Sequence, residues 1–269
     1  MHASERRQIT GFSNPTIKRL KSLREKKYRK REGHFLAEGL RILTEALDAG
    51  KTPKLLVVVE DTELHPLAQK IEQATFEAGG DVIETSEAII AKLSGKSNPQ
   101  SIIGIYEDHP TSLDDLDRNT SGIWLVAQAL RDPGNLGTIL RTGDAVGAGG
   151  LILIDDCVDP FSVEAVRASM GAIFTQKIAQ APWDDFISWL RAGEGQLVGT
   201  SLDTDKDYQS VKYEAPTFLL IGNEAQGLPE DYEAACDMLV KMPMMGKADS
   251  LNAAIASAVI AYEVLNQRR

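Results

Sequence analysis

Three segments in the C-terminal half of the chain combine residue types that bind ligands. The first is ALRDPGNLGTILRT, residues 129–142, which follows a predicted strand and contains an Asp-Pro-Gly sequence that favours a turn. Asn135 can cap the helix that follows, and Gly137 permits close approach of a ligand or of another backbone. Arg141 lies four residues after Gly137, on the same helical face. A capped helix with a surface arginine explains this pattern only in part, so a ligand at the mouth of the sheet stays a candidate.

The second segment, GNEAQGLP at residues 222–229, has two glycines at the spacing of a phosphate-binding loop. Leu228 and Pro229 stand where such a loop needs Lys and Ser or Thr, which excludes an ATP site of that kind. Glu224 would repel phosphate, whereas it suits a cationic ligand or a hydrogen-bonding brace. A sulfonium group is such a cation.

The third segment, MPMMGKADSLN at residues 242–252, leads into a predicted helix of small residues over 253–265. Ser250 can cap this helix, and Asn252 falls in its first turn. One such segment needs no ligand, but three in one domain favour a shared site. A dinucleotide site is disfavoured because the glycine cluster at 147–150 follows a predicted helix and precedes a strand. The glycine-rich turn of the commoner methyltransferase fold is missing as well.

The three segments are positioned by predicted strands and helices that alternate along the chain. Strands are predicted near residues 123–129, 151–154, 197–200, 218–221 and 239–242, with helices between them. This order predicts a mainly parallel sheet covered on both faces. Ligands in such sheets bind at the carboxyl ends of the strands, so the loops there are the candidate site.

The beginning of the chain differs from the rest in charge. The formal net charge is −10, yet eleven of the 29 Lys and Arg residues precede Glu32, against two acids. The sequence from Asn14 to Arg31 predicts one helix with an apolar stripe and a basic surface. Both a solvated charged helix and a phosphate-binding helix fit this pattern. The candidate RNA contacts are its nine basic residues: Lys18, Arg19, Lys21, Arg24, Lys26, Lys27, Arg29, Lys30 and Arg31.

The other N-terminal residues alternate between helices and short β-branched runs. Helices are predicted at 40–49, 65–78 and 86–93, and strands at 55–59 and 102–106. The polar stretch at residues 108–122 marks a linker. We therefore predict an N-terminal domain over residues 1–111 and a second domain over residues 112–269.

Composition also bears on membrane association, on cysteine chemistry and on the side chains available for catalysis. No apolar run approaches the roughly 18 residues of a membrane span, and the first residues lack a secretory signal, which predicts a soluble cytoplasmic protein with no membrane association. Cys157 and Cys236 lie outside any CxxC pair, which predicts free thiols and no metal site. All four histidines lie within the first 109 residues, so chemistry in the second domain has no local imidazole.

Read together, NLGTILRT (135–142), GNEAQGLPE (222–230) and MPMMGKADSLNAAIA (242–256) resemble the three ordered motifs of the SpoU, or TrmH-like, RNA 2'-O-methyltransferases of the SPOUT superfamily. Residues 156–174 resemble the same family, so the similarity covers nearly all of 122–268. The beginning of the chain resembles the L30e-like substrate-binding domain often joined to it. The resemblance implies an α/β fold with a mainly parallel sheet and a C-terminal trefoil knot, plus a smaller α/β N-terminal domain.

The resemblance also implies a homodimer and S-adenosylmethionine as the cofactor. The implied cofactor contacts are Thr200, Gly222, Asn223, Met242, Leu251 and Ala253. The implied catalytic residue is Arg141, supported by Asn135, Glu224, Ser250 and Asn252.

A ribose hydroxyl must lose its proton as it attacks the methyl group, and a guanidinium is a poor base at neutral pH. We therefore predict that Arg141 holds the adjacent phosphate and stabilises the developing alkoxide, with the proton passing to solvent or to the partner subunit. Asn135 would position Arg141 or the ribose. Glu224 would order the loops, while Ser250 and Asn252 would shape the mouth of the cofactor site.

The predicted substrate is RNA. Ribosomal RNA is favoured because the added basic domain suits a structured fragment, and transfer RNA comes second. Two other functions stay open: methylation of a base atom, and a non-catalytic RNA-binding or ribosome assembly protein with a vestigial cofactor pocket.

Overall fold

The computed structural model describes residues 6–60, 63–223 and 226–269. The chain forms two compact units. Of the described residues, the N-terminal unit contains those up to His109 together with Asp159–Phe174, and the C-terminal unit contains those of Pro110–Val158 and Thr175–Arg269. The boundary predicted after residue 111 lies close to the first of these breaks. The segment Asp159–Phe174 differs, because it packs with the N-terminal unit although the sequence places it in the second domain.

Helices and strands alternate along the described residues. The strands are β1 Arg6–Gln8, β2 His34–Glu38, β3 Leu55–Val59, β4 Asp81–Thr85, β5 Ile102–Glu107, β6 Ile123–Gln128, β7 Leu151–Ile154, β8 Ile178–Ala181, β9 Gln196–Thr200, β10 Thr217–Ile221 and β11 Met238–Val240. The α-helices are α1 Pro15–Ser22, α2 Lys26–Glu32, α3 Leu40–Asp48, α4 Pro66–Glu77, α5 Glu87–Ser94, α6 Pro133–Ala145, α7 Val163–Ser169, α8 Trp183–Arg191, α9 Glu230–Ala235 and α10 Ala253–Asn266. Short 3-10 helices lie at Leu113–Asp115, Arg118–Thr120 and Ala172–Phe174. The sequence pattern missed β1, β2, β4 and β8.

The N-terminal unit has a five-stranded sheet in the order β1-β4-β3-β5-β2. β1, β4 and β3 run parallel, whereas β5 is antiparallel to both β3 and β2. Ile17 and Leu20 of α1 are buried in the same cluster as Val57 and Ile83 of the sheet. Burial of this apolar stripe fixes which side of α1 stays exposed, and that side carries the basic residues.

The basic segment forms two helices, so the prediction of one continuous helix is wrong. Asn14 caps α1 by accepting a hydrogen bond from the Thr16 backbone N–H at 2.8 Å. Residues 23–25 then make three successive i to i−3 hydrogen bonds, which tighten the chain and end the helix. Leu23 is fully buried at this turn. This turn, with Leu23 in the core, separates α1 from α2.

Arg29 is buried, unlike the other basic residues of this segment. It is 4% exposed and donates a hydrogen bond to the Leu23 carbonyl at 2.8 Å. Its Nη2 atom lies 2.6 Å from Oδ2 of Asp159. A buried ion pair of this kind is costly to break, because removing one partner leaves a buried charge. Arg29 thus has a structural role, and its predicted contact with RNA is corrected.

A second ion pair, between buried Glu38 and half-buried Arg167, joins the segment Asp159–Phe174 to the N-terminal sheet. Glu38 is 5% exposed, forms an ion pair with Arg167, and accepts hydrogen bonds from Ser94 at 2.8 Å and from the Gln100 backbone N–H at 2.9 Å. Burial opposes ionisation of Glu38, but these hydrogen bonds outweigh it and lower the pKa of the carboxyl. The segment is therefore part of the N-terminal core.

The C-terminal unit has a six-stranded sheet in the order β11-β9-β10-β6-β7-β8, and all of its strand pairs are parallel. α10 packs against α6 and against β10 and β6. The fold class predicted from the sequence, an α/β fold with a mainly parallel sheet and a smaller N-terminal domain, is confirmed. The trefoil knot implied by the resemblance stays a prediction. Among the described residues, no helix is both long and apolar enough to cross a bilayer.

Candidate active site

A cavity of about 560 Å³ opens at the carboxyl ends of β9, β10 and β11. The parallel order of these strands brings the loops that follow them to one edge of the sheet, where such folds bind ligands. One wall is apolar and is formed by Ile221, Leu228, Val240, Ala256 and Ile260. Among the residues that the structure describes, the acidic side chains at the cavity are Asp203, Glu230 and Glu233, against the basic Lys241. The volume suits a small organic ligand, and the excess of acids favours one that carries positive charge.

The structure brings the predicted cofactor contacts together at this cavity. Thr200 ends β9, Gly222 and Asn223 follow β10, Met242 and Leu251 lie between β11 and α10, and Ala253 begins α10. All six line the cavity: Thr200, Gly222, Asn223, Met242, Leu251 and Ala253. The predicted catalytic residue Ser250 also lines it. Three segments far apart in sequence therefore share one site.

Gly222 is buried where the loop after β10 folds back on itself. A Cβ atom at this position would lie 2.5 Å from the Gly227 carbonyl carbon and 2.6 Å from the Leu228 backbone nitrogen. The Gly227 N–H donates to the Asn223 carbonyl at 2.9 Å, and Gly227 has a φ of +70°, which favours glycine. Both glycines of this motif are thus required by the closure of the loop.

Two of the predicted catalytic residues are in direct contact. Nδ2 of Asn252 donates a hydrogen bond to Oδ1 of Asn135 at 2.9 Å. This bond joins the first residues of α6 to the residue that precedes α10. The first and third motifs are thereby connected at the edge of the cavity.

The helix caps differ from those predicted. Asp132 caps α6 by accepting a hydrogen bond from the Asn135 backbone N–H at 2.7 Å, so Asn135 lies inside the helix. Asn252 caps α10 by accepting from the backbone N–H groups of Ala254 and Ile255, whereas Ser250 lies two residues before the cap. The predictions that Asn135 and Ser250 are the caps are therefore wrong.

Arg141 is exposed on α6, apart from the Asn135–Asn252 pair. It follows Asn135 by six residues, which places the two side chains about 120° apart around the helix. With the residues that the structure describes, Arg141 makes no hydrogen bond or ion pair. Its guanidinium is therefore available for a substrate. Glu224, the remaining predicted catalytic residue, lies outside the described residues.

The thiols do not supply a nucleophile. Burial raises the pKa of the Cys157 thiol to about 11 and that of the Cys236 thiol to about 12. Both are free, as predicted, and both are protonated at neutral pH. In the ranges that the structure describes, no group of three or more His, Cys, Asp and Glu residues is arranged to hold a metal ion.

Sequence reasoning missed several residues of the cavity. These are Ser201, Leu202 and Asp203 after β9, and Glu230 and Glu233 of α9. The first three directly follow a predicted strand, so the strand-end rule could have found them. Glu230 ends the second motif, which could have pointed to it, whereas Glu233 carried no comparable signal.

Comparison with known proteins decides the family. Residues 122–262 match the model of the SpoU rRNA Methylase family. This chain belongs to the SpoU rRNA methylase family. Residues 14–104 match the MRM3-like substrate binding domain, which agrees with the predicted N-terminal substrate-binding domain. The family recognised from the three motifs is thus confirmed.

Relatives in the family resemble the chain over nearly its full length. An AdoMet-bound rRNA methyltransferase from Sinorhizobium meliloti is 38% identical, with a TM-score of 0.89 and coverage of 97% of this chain and 98% of that one. The 23S rRNA (guanosine(2553)-2'-O)-methyltransferase of Bacillus subtilis is 28% identical over 258 residues, covering 96% of this chain and 99% of the relative. The 23S rRNA (uridine(2479)-2'-O)-methyltransferase of Streptomyces viridochromogenes is 31% identical over 247 residues, covering 89% and 85%.

Proposed function

We propose that this chain transfers a methyl group from S-adenosylmethionine to a ribose 2'-hydroxyl of 23S ribosomal RNA, in the cytoplasm where ribosomes are assembled. The observation that carries the proposal is the cavity at the ends of β9, β10 and β11, which gathers the second and third motifs of a SpoU rRNA methylase. Relatives of similar length are named 23S rRNA 2'-O-methyltransferases, and a close structural neighbour binds AdoMet.

The cavity fits this cofactor in size and in charge. Its apolar wall, with Ile221, Leu228 and Ile260, suits an adenine ring, and Asp203 and Glu230 favour the sulfonium and amino cations. When bound, S-adenosylmethionine supplies an electrophilic methyl group. The chain's own residues have to exclude water and hold the ribose hydroxyl in line with it.

Arg141 is the residue best suited to act on the RNA. Its exposed guanidinium can hold a phosphate beside the target ribose and stabilise the negative charge that develops on the 2'-oxygen. The Asn135–Asn252 hydrogen bond fixes the start of α6 against the start of α10 and so supports that position. The hydroxyl proton leaves to solvent or to a group of the partner subunit.

The exposed basic residues of α1 and α2 are the proposed RNA-binding surface. Arg29 is buried and does not belong to this surface. Its residues, all of them exposed, are Lys18, Arg19, Lys21, Arg24, Lys26, Lys27, Lys30 and Arg31. Glu32 lies 3.6 Å from Arg19 and 3.0 Å from Arg31, so it offsets part of this charge. The lysines of α2 make no such pair with described residues and are the best probes.

Reversing the charge of Lys26 and Lys27 to Glu is expected to weaken binding of a 23S rRNA fragment and to lower the salt dependence of the binding constant by about two units of slope, because phosphate contacts are lost. Fluorescence anisotropy at several salt concentrations measures both. The control reverses Lys51 and Lys70, two exposed lysines elsewhere in the N-terminal unit. An equal loss in the control would contradict the assignment.

We propose further that the protein is a homodimer joined through the exposed apolar side of α10. Ile255 is 53% exposed and Tyr262, seven residues later on the same side, is 45% exposed. Leu251, just before the helix, is 40% exposed. Apolar residues grouped in this way mark a surface that another protein covers.

Ile255→Glu is therefore expected to convert the dimer to a monomer, because it places a charge in an apolar interface. Sedimentation equilibrium should show the mass falling from twice the chain mass of 29.3 kDa to the chain mass itself. Leu67→Glu, at an exposed leucine of the N-terminal unit, should leave the mass unchanged. A parental protein that sediments as a monomer would reject the dimer.

The proposed function is tested by tritium transfer from labelled S-adenosylmethionine to total RNA of a host that lacks this protein. Size separation and nucleoside analysis should place the label in a 2'-O-methyl nucleoside of 23S rRNA. Label in transfer RNA would show that transfer RNA is the substrate instead, and label on a base atom would show that the methyl acceptor is not the ribose. Cofactor binding without any transfer would favour the RNA-binding or assembly role.

A further inference from the structure

The turn between β6 and α6 has a strained backbone. β6 ends at Gln128, and Asp132 caps α6, so Ala129, Leu130 and Arg131 connect the sheet to the helix that carries the first motif. Ala129 has a φ of +47°, in the left-handed region that residues with a Cβ avoid. Such a conformation persists only where neighbouring groups hold it.

Residues of β7 and of the loop that follows it hold this turn through three hydrogen bonds. The Ala129 N–H donates to the Ile154 carbonyl at 3.1 Å, and the Val158 N–H donates to the Leu130 carbonyl at 2.8 Å. The Leu130 N–H donates to the Cys157 sulfur at 3.3 Å. Of the four backbone polar groups of these two residues, the Ala129 carbonyl is therefore left to be held from elsewhere.

Asn223 binds that carbonyl from the other side. Its Nδ2 donates to the Ala129 carbonyl oxygen at 2.9 Å, across 94 residues of sequence. Its Oδ1 accepts from the Gln226 backbone N–H at 3.3 Å, and its own carbonyl accepts from Gly227. Asn223 thus fixes the loop that lines the cavity and attaches this loop to the start of α6.

We infer that Asn223 is a positioning residue that acts on Arg141 and Asn135 through the Ala129 turn, rather than a cofactor contact through its side chain. The inference rests on the proposed function. Loss of the Nδ2 donor frees the Ala129 carbonyl and lets the start of α6 shift relative to the cavity. The ribose held near α6 is then misaligned with the methyl group of the cofactor, although the residues that bind the RNA and those that bind the cofactor are unchanged.

The test replaces Asn223 with Ala and, separately, with Asp, which keeps the shape but removes the donor. Calorimetry gives the Kd for S-adenosylmethionine, and single-turnover assays at saturating cofactor give the transfer rate. Asn223→Asp keeps the acceptor for the Gln226 N–H, so the expected result is a nearly unchanged Kd with a rate reduced by about tenfold or more, since small misplacements of reacting groups have effects of this size. Asn223→Ala also loses the bond to Gln226 and should show at least the same loss of rate. A weakened Kd with an unchanged rate at saturation would show a cofactor contact instead.

Ala129→Gly provides a rescue that a cofactor contact would not show. Glycine adopts a φ of +47° without strain, so the turn needs less support. The double variant with Asn223→Ala should recover part of the lost rate, whereas Ala129→Gly alone should stay near the parental rate. No recovery in the double variant would overturn the inference.

Hydrogen exchange separates failure of this inference from failure of the proposed function. The backbone amides of Leu130 and of the first turn of α6 should exchange faster in Asn223→Ala than in the parental protein, whether or not any RNA is methylated. The exposed Asn119→Ala serves as the control and should leave these amides unchanged. Unchanged exchange in Asn223→Ala would reject the positioning role even if the parental protein is an active methyltransferase.

Discussion

Arg141→Ala is expected to lower the rate of methyl transfer by about 10²-fold or more at saturating cofactor and RNA. The guanidinium acts on charge that is larger in the transition state than in the bound substrate, so its loss should appear mainly in kcat. The Kd for S-adenosylmethionine should stay unchanged, because Arg141 does not line the cavity. Single-turnover transfer and calorimetry measure the two quantities.

The exposure of Arg141 makes this result interpretable. Because it makes no hydrogen bond or ion pair with described residues, the melting temperature of Arg141→Ala should match that of the parental protein. Arg141→Lys keeps the charge but loses the planar fork that holds a phosphate, so an intermediate rate is expected. A folded Arg141→Ala protein with a rate near the parental one would remove Arg141 from catalysis.

Gly222→Ala is expected to abolish measurable binding of S-adenosylmethionine. The new Cβ atom would lie 2.5 to 2.7 Å from backbone atoms of Gly227 and Leu228. Because these are backbone atoms, a change of side-chain rotamer cannot relieve the clash. The loop after β10 would have to open, and the cavity that it lines would change shape. Calorimetry with the cofactor is the measurement.

Gly246→Ala is the matched control, because its Cβ atom would meet nothing within 4 Å and no positive φ is found there. It should bind the cofactor like the parental protein. Far-ultraviolet circular dichroism shows whether Gly222→Ala keeps the fold. Normal affinity in a folded Gly222→Ala protein would show that the loop is not part of the cofactor site.

Local patterns predicted most of the C-terminal sheet. β7 and β10 are short apolar runs, a pattern typical of strands that are buried on both faces of a parallel sheet. β1 was missed because all three of its residues are exposed, so no apolar pattern marks it. It is a strand only because it pairs with β4, and pairing between residues 6 and 82 is not a local property.

The sequence motifs predicted the location of the site better than they predicted the role of each residue in it. The second and third motifs located cavity residues on the loops after β10 and β11, where the strand-end rule also places a site, whereas most of the cavity residues after β9 were missed. The caps were assigned to the wrong residues, because Asp132 and Asn135, or Ser250 and Asn252, are similar candidates only two or three residues apart. Only the backbone geometry selects between them.

The sequence by itself determined the family, the parallel sheet and the loops that hold the site, because these follow from apolar periodicity and from motifs contained in short segments. Tertiary structure decided which charges are free. Arg29 and Lys30 are neighbours in one basic run, yet Arg29 is buried against Asp159, 130 residues away, while Lys30 stays exposed. The same holds for Asn223, whose bond to Ala129 spans 94 residues. Such contacts depend on how distant segments meet, and no local pattern contains that information.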